Sequence, residues 1–270
     1  MTGDGVDKGA EQARDAPFPD GERIGWQQAR DHLTAGKPII LPWGAYEQHG
    51  PHLPLATDTA MAAELALRLA ARFGAWLLPA IGYGETANNA GFPGTLSLSF
   101  DTVRAILLDL CAALARHGAR RLIVVNGDFG NQAPLKLAAR QARQQCDVSV
   151  LIVDYPGLEQ AAAEVLETRP AAPGFYHADE FETSVMLAAA PDSVRMDRAA
   201  PEYPRFPPTY PALFAELDTI SASGVFGDPR PASAEKGRAL LDALTRQAAT
   251  LITEFLAETN QTTSPPRRPE

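Results

Sequence analysis

Two histidines and two acids lie within one short stretch of this chain, although the whole sequence contains only five histidines. The stretch opens with Glu47-Gln48-His49 and extends to Asp58. It follows the apolar residues 38–43, which we interpret as a buried strand. Loops that leave the carboxyl end of a strand build the sites of open α/β sheets, and imidazole and carboxylate groups are ligands of zinc, manganese and iron(II). The stretch therefore predicts a metal site.

A purely structural interpretation of this stretch is a loop that enters a helix. In that case Asp58 would cap a helix beginning at Thr59, and the histidines would be polar surface residues. Caps and loops do not call for this density of ligand types, so we favour the metal site.

A second candidate segment, residues 126–131, follows another apolar run. Gly127 and Gly130 permit a tight turn with positive φ and a close approach of the backbone. Asp128 could then point a carboxylate into the same crevice, or Asp128 or Asn131 could cap the next helix. The segment lacks the lysine and the glycine spacing of a phosphate-binding P-loop. The sequence leaves the first two alternatives open.

The third candidate segment, residues 177–184, contains one histidine and three acids. Acids in a first helical turn are favoured by the helix dipole, so one or two of them need no functional explanation. His177 precedes the helix and has carboxylates beside it, a setting that can tune an imidazole pKa for proton transfer. We therefore predict a functional role for His177.

Two glycine-bearing loops, residues 82–95 and 223–229, have no residue pattern that indicates one particular function. Each fits a loop that contacts substrate or another subunit, and each also fits an ordinary surface excursion. Asn89 and Thr95 in the first loop, together with Asn131, are the candidate substrate-binding residues.

The composition of the chain indicates which kinds of partner and which cellular compartment to expect. The chain has 270 residues, is 45% hydrophobic and carries a formal charge of −9. This charge argues against nucleic-acid and anionic-membrane partners, which need clustered Lys and Arg, but it permits a small-molecule substrate. We find no signal peptide and no apolar run of the about 18 residues that a membrane helix needs. Cys111 and Cys146 are expected to be free thiols, so we expect a soluble, cytoplasmic protein.

Apolar runs and amphipathic segments alternate along the chain. Strands are predicted over residues 38–43, 75–81, 121–125 and 148–153, and helices over residues 58–73, 102–117, 132–145, 183–190 and 233–256. This alternation indicates an α/β fold, a single domain with a mostly parallel central sheet flanked by helices on both faces. We place the domain at residues 21–258, between a flexible leader (1–20) and a disordered tail (259–270).

The order of these segments resembles the creatininase family of metal-dependent hydrolases, from about residue 36 to residue 256. The motifs that carry the resemblance are Gly44-Ala45-Tyr46-Glu47-Gln48-His49-Gly50-Pro51-His52-Leu53-Pro54 with Thr57-Asp58-Thr59, Phe92-Pro93-Gly94-Thr95, and residues 126–131, 177–184 and 223–229. The resemblance implies parallel strands flanked by helices and a homohexamer. It also implies two divalent metal ions per subunit, zinc, manganese or iron, at the C-terminal edge of the sheet.

The resemblance also implies roles for individual residues. Glu47 would bind one metal, His49 the other, and Asp58 would bridge them. His177 matches a histidine that passes a proton to the leaving nitrogen. Glu182 matches the glutamate beside that histidine, as a catalytic residue that could also complete the shell of the second metal.

One departure from the family pattern concerns the first metal. Asp128 stands where the family has a metal-binding histidine, and Gly130 stands where the creatinine-hydrolysing member has a further acid. Asp128 would either ligate the same cation, in a harder site that favours Mn²⁺ or Fe²⁺ over Zn²⁺, or leave the first metal site weakened or lost. Both changes argue against creatinine as the substrate.

The resulting expectation is a metal-dependent amidohydrolase that cleaves the C–N bond of a small cyclic or formyl-type amide through metal-activated water. A carboxylate would take the proton of the water and His177 would return one to the departing nitrogen. The alternatives are a hydrolase of a keto-sugar C–C bond and a non-catalytic, small-molecule-binding member with a decayed metal site. The presence of Glu47, His49, Asp58 and His177 favours the enzyme.

Overall fold

Four parallel strands form the central sheet in the computed structural model, which describes residues 18–261. In chain order they are β1 (Ile39–Trp43), β2 (Trp76–Leu77), β3 (Arg121–Asn126) and β4 (Ser149–Val153). The order across the sheet is β2-β1-β3-β4, which places β1 and β3 at the centre. Their register pairs Trp43 with Asn126, so both central strands end at the same edge of the sheet.

Helices connect and cover these strands. In chain order they are α1 (Trp26–Thr34), α2 (Thr57–Phe73), α3 (Phe100–Arg116), α4 (Gln132–Gln145), α5 (Leu158–Val165), α6 (Glu180–Ala189) and α7 (Ala234–Gln261). Two short 3₁₀ helices, Ala87–Asn89 and Phe129–Asn131, lie in the loops after β2 and β3.

Alternate residues of the sheet enter two separate cores, because successive side chains of a strand point to opposite faces. Ile40, Ile123 and Val125 pack with side chains of α2, α5, α6 and α7. Leu41 and Val124 face the other way and pack with side chains of α3 and α4. Each fully buried aliphatic side chain contributes about 1.5–3 kcal/mol through the area that it removes from water. The predicted α/β fold, with helices on both faces of a parallel sheet, is confirmed.

The paired part of β2 is shorter than the strand predicted over residues 75–81. Pro79 interrupts it, because proline has no N–H to donate to the ladder. Beyond this point Ile81 N donates to Pro42 O at 3.0 Å, and Ile81 forms an isolated bridge with Trp43. The sequence pattern also fails to predict α1 and α5, which are short and have few large apolar residues.

The ends of the folded unit lie beyond the predicted domain limits. Phe18 is buried in the core, and Pro19 O accepts a hydrogen bond of 3.0 Å from Leu77 N. At the other end α7 continues to Gln261. The rest of the predicted leader and tail, residues 1–17 and 262–270, lies outside the described residues.

The two cysteines are free thiols, as the sequence predicts. Burial, with a smaller effect of nearby Cys146, raises the pKa of the Cys111 thiol to about 12. Within residues 18–261 the structure contains no helix long and apolar enough to cross a membrane.

Gly127 is the point where the end of β3 meets the start of α2, and its substitution tests this close approach. A Cβ there would lie 2.2 Å from Asp58 O. We expect Gly127→Ala to lower the free energy of unfolding by about 1–3 kcal/mol, the usual cost of overpacking, as measured by urea denaturation. Gly82→Ala is the control, because its Cβ would meet the Thr59 side chain at an ordinary 3.7 Å. Equal stability of the two variants would contradict this account.

Candidate metal centre

The loops after β1 and β3 deliver the first ligand-type side chains. Because the two strands end side by side, both loops leave the same edge of the sheet. The loop after β1 carries Glu47 and His49, which are 3% and 0% exposed. His49 Nδ1 lies 3.1 Å from the backbone oxygen of Glu47, so this ring nitrogen donates to it, and Nε2 is the atom near Asp58 and Glu182.

Asp58 reaches the same crevice from the first turn of α2. The helix begins at Thr57, and its N-cap Ala56 has no side chain that could bond to the backbone, so Asp58 is not the cap of this helix. Its Oδ1 lies 3.1 Å from His49 Nε2. Asp58 thus joins the loop after β1 to the start of α2 at the edge of the sheet.

The start of α6 supplies the remaining groups. Asp179 caps this helix by accepting hydrogen bonds from the backbone N–H groups of Phe181 and Glu182. Glu182 Oε2 accepts a hydrogen bond of 2.5 Å from Ala178 N and lies 3.5 Å from His49 Nε2. His177 Nδ1 lies 3.7 Å from Glu47 Oε1. All three sequence segments thus meet at one place.

The ligand atoms fall into overlapping groups of three, with the atoms of each group within 4.8 Å of one another. Asp58 belongs to two of them. The groups are Glu47 with Asp58 and Asp128, His49 with Asp58 and Glu182, and Glu47 with His49 and His177. Two three-ligand sets that share one carboxylate have the composition that a pair of divalent cations requires, since a carboxylate has two oxygens.

Unsatisfied polar atoms in the cluster support this interpretation. His49 Nε2, Asp58 Oδ2 and Asp128 Oδ2 are buried and have no hydrogen-bond partner among the described residues. Although His49 Nε2 and Asp58 Oδ1 are only 3.1 Å apart, they are not aligned as a hydrogen bond. Buried polar atoms are rarely left unpaired, whereas atoms with lone pairs that converge without a proton between them suit a cation. The residues present therefore fit a metal pair.

The pKa values report the same excess of negative charge. Burial, and then the charges of Asp128 and Asp58, raise the pKa of Glu47 well above its ordinary value. Burial raises the pKa of Glu182 to about 7, although His49 opposes this. Burial also opposes a charged His49, but the surrounding carboxylates outweigh it and raise the pKa of His49 well above its ordinary value. Protons are held tightly here, and a cation can replace them.

Asp128 points one carboxylate oxygen at the crevice and uses the other as a cap, but of a 3₁₀ turn and not of α4, whose N-cap Asn131 makes no side-chain cap bond. Its Oδ1 accepts a hydrogen bond of 2.9 Å from Gly130 N and so caps the 3₁₀ helix Phe129–Asn131. Its Oδ2 is buried and unpaired beside Glu47 and Asp58. The predicted positive φ of Gly127 and Gly130 is wrong, because neither has one. Close approach is what requires glycine, since a Cβ at Gly130 would lie 2.1 Å from Glu85 O.

The three candidate substrate-binding residues occupy different places. Asn89 is buried, and its Nδ2 donates to Glu47 Oε2 at 2.8 Å. The Thr95 hydroxyl accepts from Gln48 N at 3.0 Å. Asn131 is fully buried and joins two loops, because its Oδ1 accepts from Glu85 N and its Nδ2 donates to Gly44 O. Asn89 and Thr95 therefore border the cluster, and Asn131 braces the loops around it.

Two residues of the same motif have contacts that the sequence interpretation does not assign. Gln48 bonds through its amide to Asn89 and His177. His52 Nε2 lies 2.9 Å from the Thr183 hydroxyl, and burial lowers the pKa of His52 to about 4, so it is a neutral link between the loop and α6. The only sequence signal for Gln48 is its position between two ligand-type residues.

We expect the stabilisation of this protein by metal to increase with pH. A raised pKa in the folded state means that stability is lost as pH rises through that pKa, which is about 7 for Glu182 against about 4.3 in an unfolded chain. His49 acts in the same direction, whereas the lowered pKa values of His52 and His177 act oppositely only below about pH 6.5.

The measurement is thermal denaturation with EDTA and with Zn²⁺ across this range. The melting temperature with EDTA should fall above about pH 6.5, and the gap between the two conditions should widen. Glu182→Gln is the matched variant, because it removes one titrating group and should reduce the fall. A gap that stays constant with pH would show that protons and metal do not compete for these groups.

Substitutions of Asp128 distinguish its role as a helix cap from its expected role as a metal ligand. Asp128→Asn keeps an oxygen for Gly130 N but removes the charge, so we expect stability near that of the original chain and metal content reduced toward one ion per subunit. Asp128→Ala should lose the same metal and about 1 kcal/mol of stability as well. Asp128→His should bind two metals with a greater preference for Zn²⁺. Mass spectrometry of bound metals and urea denaturation measure both effects, and full metal content in Asp128→Ala would reduce Asp128 to a cap.

Comparison with known proteins places this cluster in a family. The family model named Creatininase, described as creatinine amidohydrolase, matches residues 22–252. A creatinine amidohydrolase of Pseudomonas putida is 32% identical over 246 residues, which are 85% of this chain and 94% of that protein. A mycofactocin precursor peptide peptidase of Mycobacterium tuberculosis is also 32% identical, over 82% of this chain and 86% of the relative.

A solved structure agrees with the sequence matches. A creatininase described with Mn superposes with a TM-score of 0.75 at 30% identity, and the match covers 88% of this chain and 98% of the other. The fold, the order of the site segments and the similarity along most of the chain lead to one assignment: this protein belongs to the creatininase family.

Proposed function

We propose that this creatininase-family hydrolase uses two divalent metal ions to cleave the C–N bond of a small amide, cyclic or formyl-type. The observation that carries the proposal is the pair of three-ligand groups that share Asp58 at the carboxyl edge of the sheet. The relatives named as a creatinine amidohydrolase and a peptide peptidase support hydrolysis of a C–N bond.

Each metal has a proposed set of ligands. Glu47 and Asp128 would hold the first, His49 and Glu182 the second, and Asp58 would bridge them. Divalent ions bound in this way supply Lewis acidity, which lowers the pKa of water toward neutrality and polarises a carbonyl oxygen. Zinc, manganese and iron(II) all accept this set, and the preponderance of carboxylates favours Mn²⁺ or Fe²⁺.

Side chains of this protein would accept the proton of the water and stabilise the reacting amide. Glu182 is the proposed carboxylate that takes the proton of the water, because its Oε2 lies within the cluster, 3.5 Å from His49 Nε2. His177 lies beside the cluster, where it would donate a hydrogen bond to charge that develops at the reacting amide. Asn89 and Thr95 border this space and would contact the substrate, and Asn89 also orients Glu47.

Two residues of the site differ from those expected in the creatinine-hydrolysing member, and this difference bears on which amide is the substrate. Asp128 and Gly130 stand where the creatinine-hydrolysing member is expected to carry a histidine and an acid, so we propose a substrate other than creatinine. A keto-sugar C–C hydrolase remains the alternative reaction, because the same cations would stabilise an oxyanion there. The homohexamer implied by the family resemblance also remains a prediction.

We expect purification without added metal to yield protein with up to two bound ions per subunit. The metal-loaded protein, assayed with Mn²⁺, Zn²⁺ and Fe²⁺ against cyclic amides, formamides, short peptides and a keto-sugar, should hydrolyse a cyclic or formyl amide. His177→Gln should keep the metals and lose about 10²–10³-fold in kcat, the usual contribution of one positioned hydrogen-bond donor to developing charge. Asp58→Asn should lose metal and activity together, because it removes the shared ligand.

Two results would overturn the proposal. One is a protein that binds no divalent metal at micromolar concentration, which would favour the non-catalytic alternative. The other is hydrolysis of the keto-sugar alone, which would move the reaction from a C–N to a C–C bond.

A further inference from the structure

Gln48 makes three hydrogen bonds inside the site, although it is neither a ligand type nor a titrating group. It is 6% exposed. Its Oε1 lies 2.9 Å from Gly50 N, and its Nε2 lies 2.8 Å from Asn89 Oδ1 and 2.7 Å from His177 Nε2. The side chain therefore links a backbone turn, the partner of Glu47 and the catalytic histidine candidate.

The Gly50 backbone fixes which way the Gln48 amide points. A backbone N–H is always a donor, so the atom that faces Gly50 N must be the oxygen of Gln48. The reverse orientation would set two donors against each other at Gly50 and two oxygens against each other at Asn89. The NH₂ group of Gln48 therefore faces His177.

This orientation determines where His177 carries its hydrogen. An amide NH₂ has no lone pair to accept with, so His177 Nε2 must be the acceptor of the 2.7 Å bond. A neutral imidazole with an unprotonated Nε2 has its hydrogen on Nδ1. In His177 this atom lies on the side of the metal cluster, 3.7 Å from Glu47 Oε1.

We propose that Gln48 is a positioning residue that holds His177 as the neutral Nδ1–H tautomer and directs this N–H into the site. The role of His177 toward a substrate rests on the proposed function. Held in this way, His177 acts as a hydrogen-bond donor to charge that develops on the substrate, and no net proton leaves the ring. The proton that the departing nitrogen needs would then come from the carboxylate that took it from water. This differs from the proton shuttle implied by the family resemblance. A shuttle passes through the imidazolium, which needs a hydrogen on Nε2, where the NH₂ group of Gln48 already points.

Surrounding residues hold both partners in this arrangement. Gly224 leaves the space that Gln48 occupies, since a Cβ there would lie 1.8 Å from Gln48 Oε1. The His177 ring packs against the rings of His49 and Phe226, with ring centroids 4.5 and 5.8 Å away. His177 O also accepts a hydrogen bond of 3.0 Å from Phe226 N. The ring and the amide thus have little freedom to exchange partners.

Nitrogen NMR of histidine-labelled, Zn²⁺-loaded protein tests the proposal without a substrate. The signal of His177, assigned by its loss in His177→Gln, should show a protonated Nδ1 and an unprotonated Nε2. Gln48→Glu keeps the shape but replaces the NH₂ group by an acceptor, so His177 should gain a hydrogen on Nε2. Gln48→Met removes the hydrogen bonds without offering an acceptor and should leave a mixture of the two tautomers. A protonated Nε2 in the original chain would overturn the proposal.

Activity then separates this proposal from the proposed function. With the metal content of Gln48→Glu equal to that of the original chain, its kcat on any amide found should fall about 10²-fold with KM little changed, as for loss of one donor to developing charge. Full kcat in this variant, with the tautomer reversed, would overturn the positioning role. If no amide is hydrolysed while the original chain shows the Nδ1–H tautomer, the proposed function fails and the tautomer assignment stands.

Discussion

Buried negative charge is the constraint on which the rest of this structure depends. Glu47, Asp58 and Glu182 are 2–5% exposed, and they share one crevice with the buried Oδ2 of Asp128. Each buried ion costs several kcal/mol, whereas a helix N-terminus returns only about 0.3–1 kcal/mol. The N-termini of α2 and α6 and a charged His49 therefore cannot balance the set. Protons or metal ions must share it, which explains both the raised pKa values and the unpaired atoms.

The parallel sheet brings these charges together because its central strands end in register. Two glycines then let α2 approach the strand ends. A Cβ at Gly44 would lie 2.3 Å from Thr59 N, and one at Gly127 would lie 2.2 Å from Asp58 O. Without these close approaches Asp58 could not lie between the two loops. The position of Asp58 thus follows from backbone packing, and the side chains of the cluster depend on residues that carry no chemistry of their own.

The sequence predicts the parts of this site that depend on local pattern. Apolar runs identify the strands, and the ligand-type residues follow the ends of those runs, so the meeting of the loops after β1 and β3 can be expected. The direction of the Gln48 amide cannot, because it depends on Gly50, Asn89 and His177, of which two are distant in the chain. Helices α1 and α5 cannot be predicted for a different reason. Their sequences have no strong apolar pattern, and tertiary packing stabilises them.

Asp128 shows how one departure from a family pattern can be consistent with its surroundings. The short carboxylate reaches Gly130 N with one oxygen and the crevice with the other, and capping is a task for which aspartate is well suited. Gly130 takes part in the same arrangement, because the backbone of Glu85 occupies the space of any side chain there. A decayed site would not be expected to keep a buried, unpaired oxygen directed at Glu47 and Asp58, since such an atom is costly unless a cation satisfies it. We therefore propose that the aspartate is a retuned ligand and not the mark of a lost site.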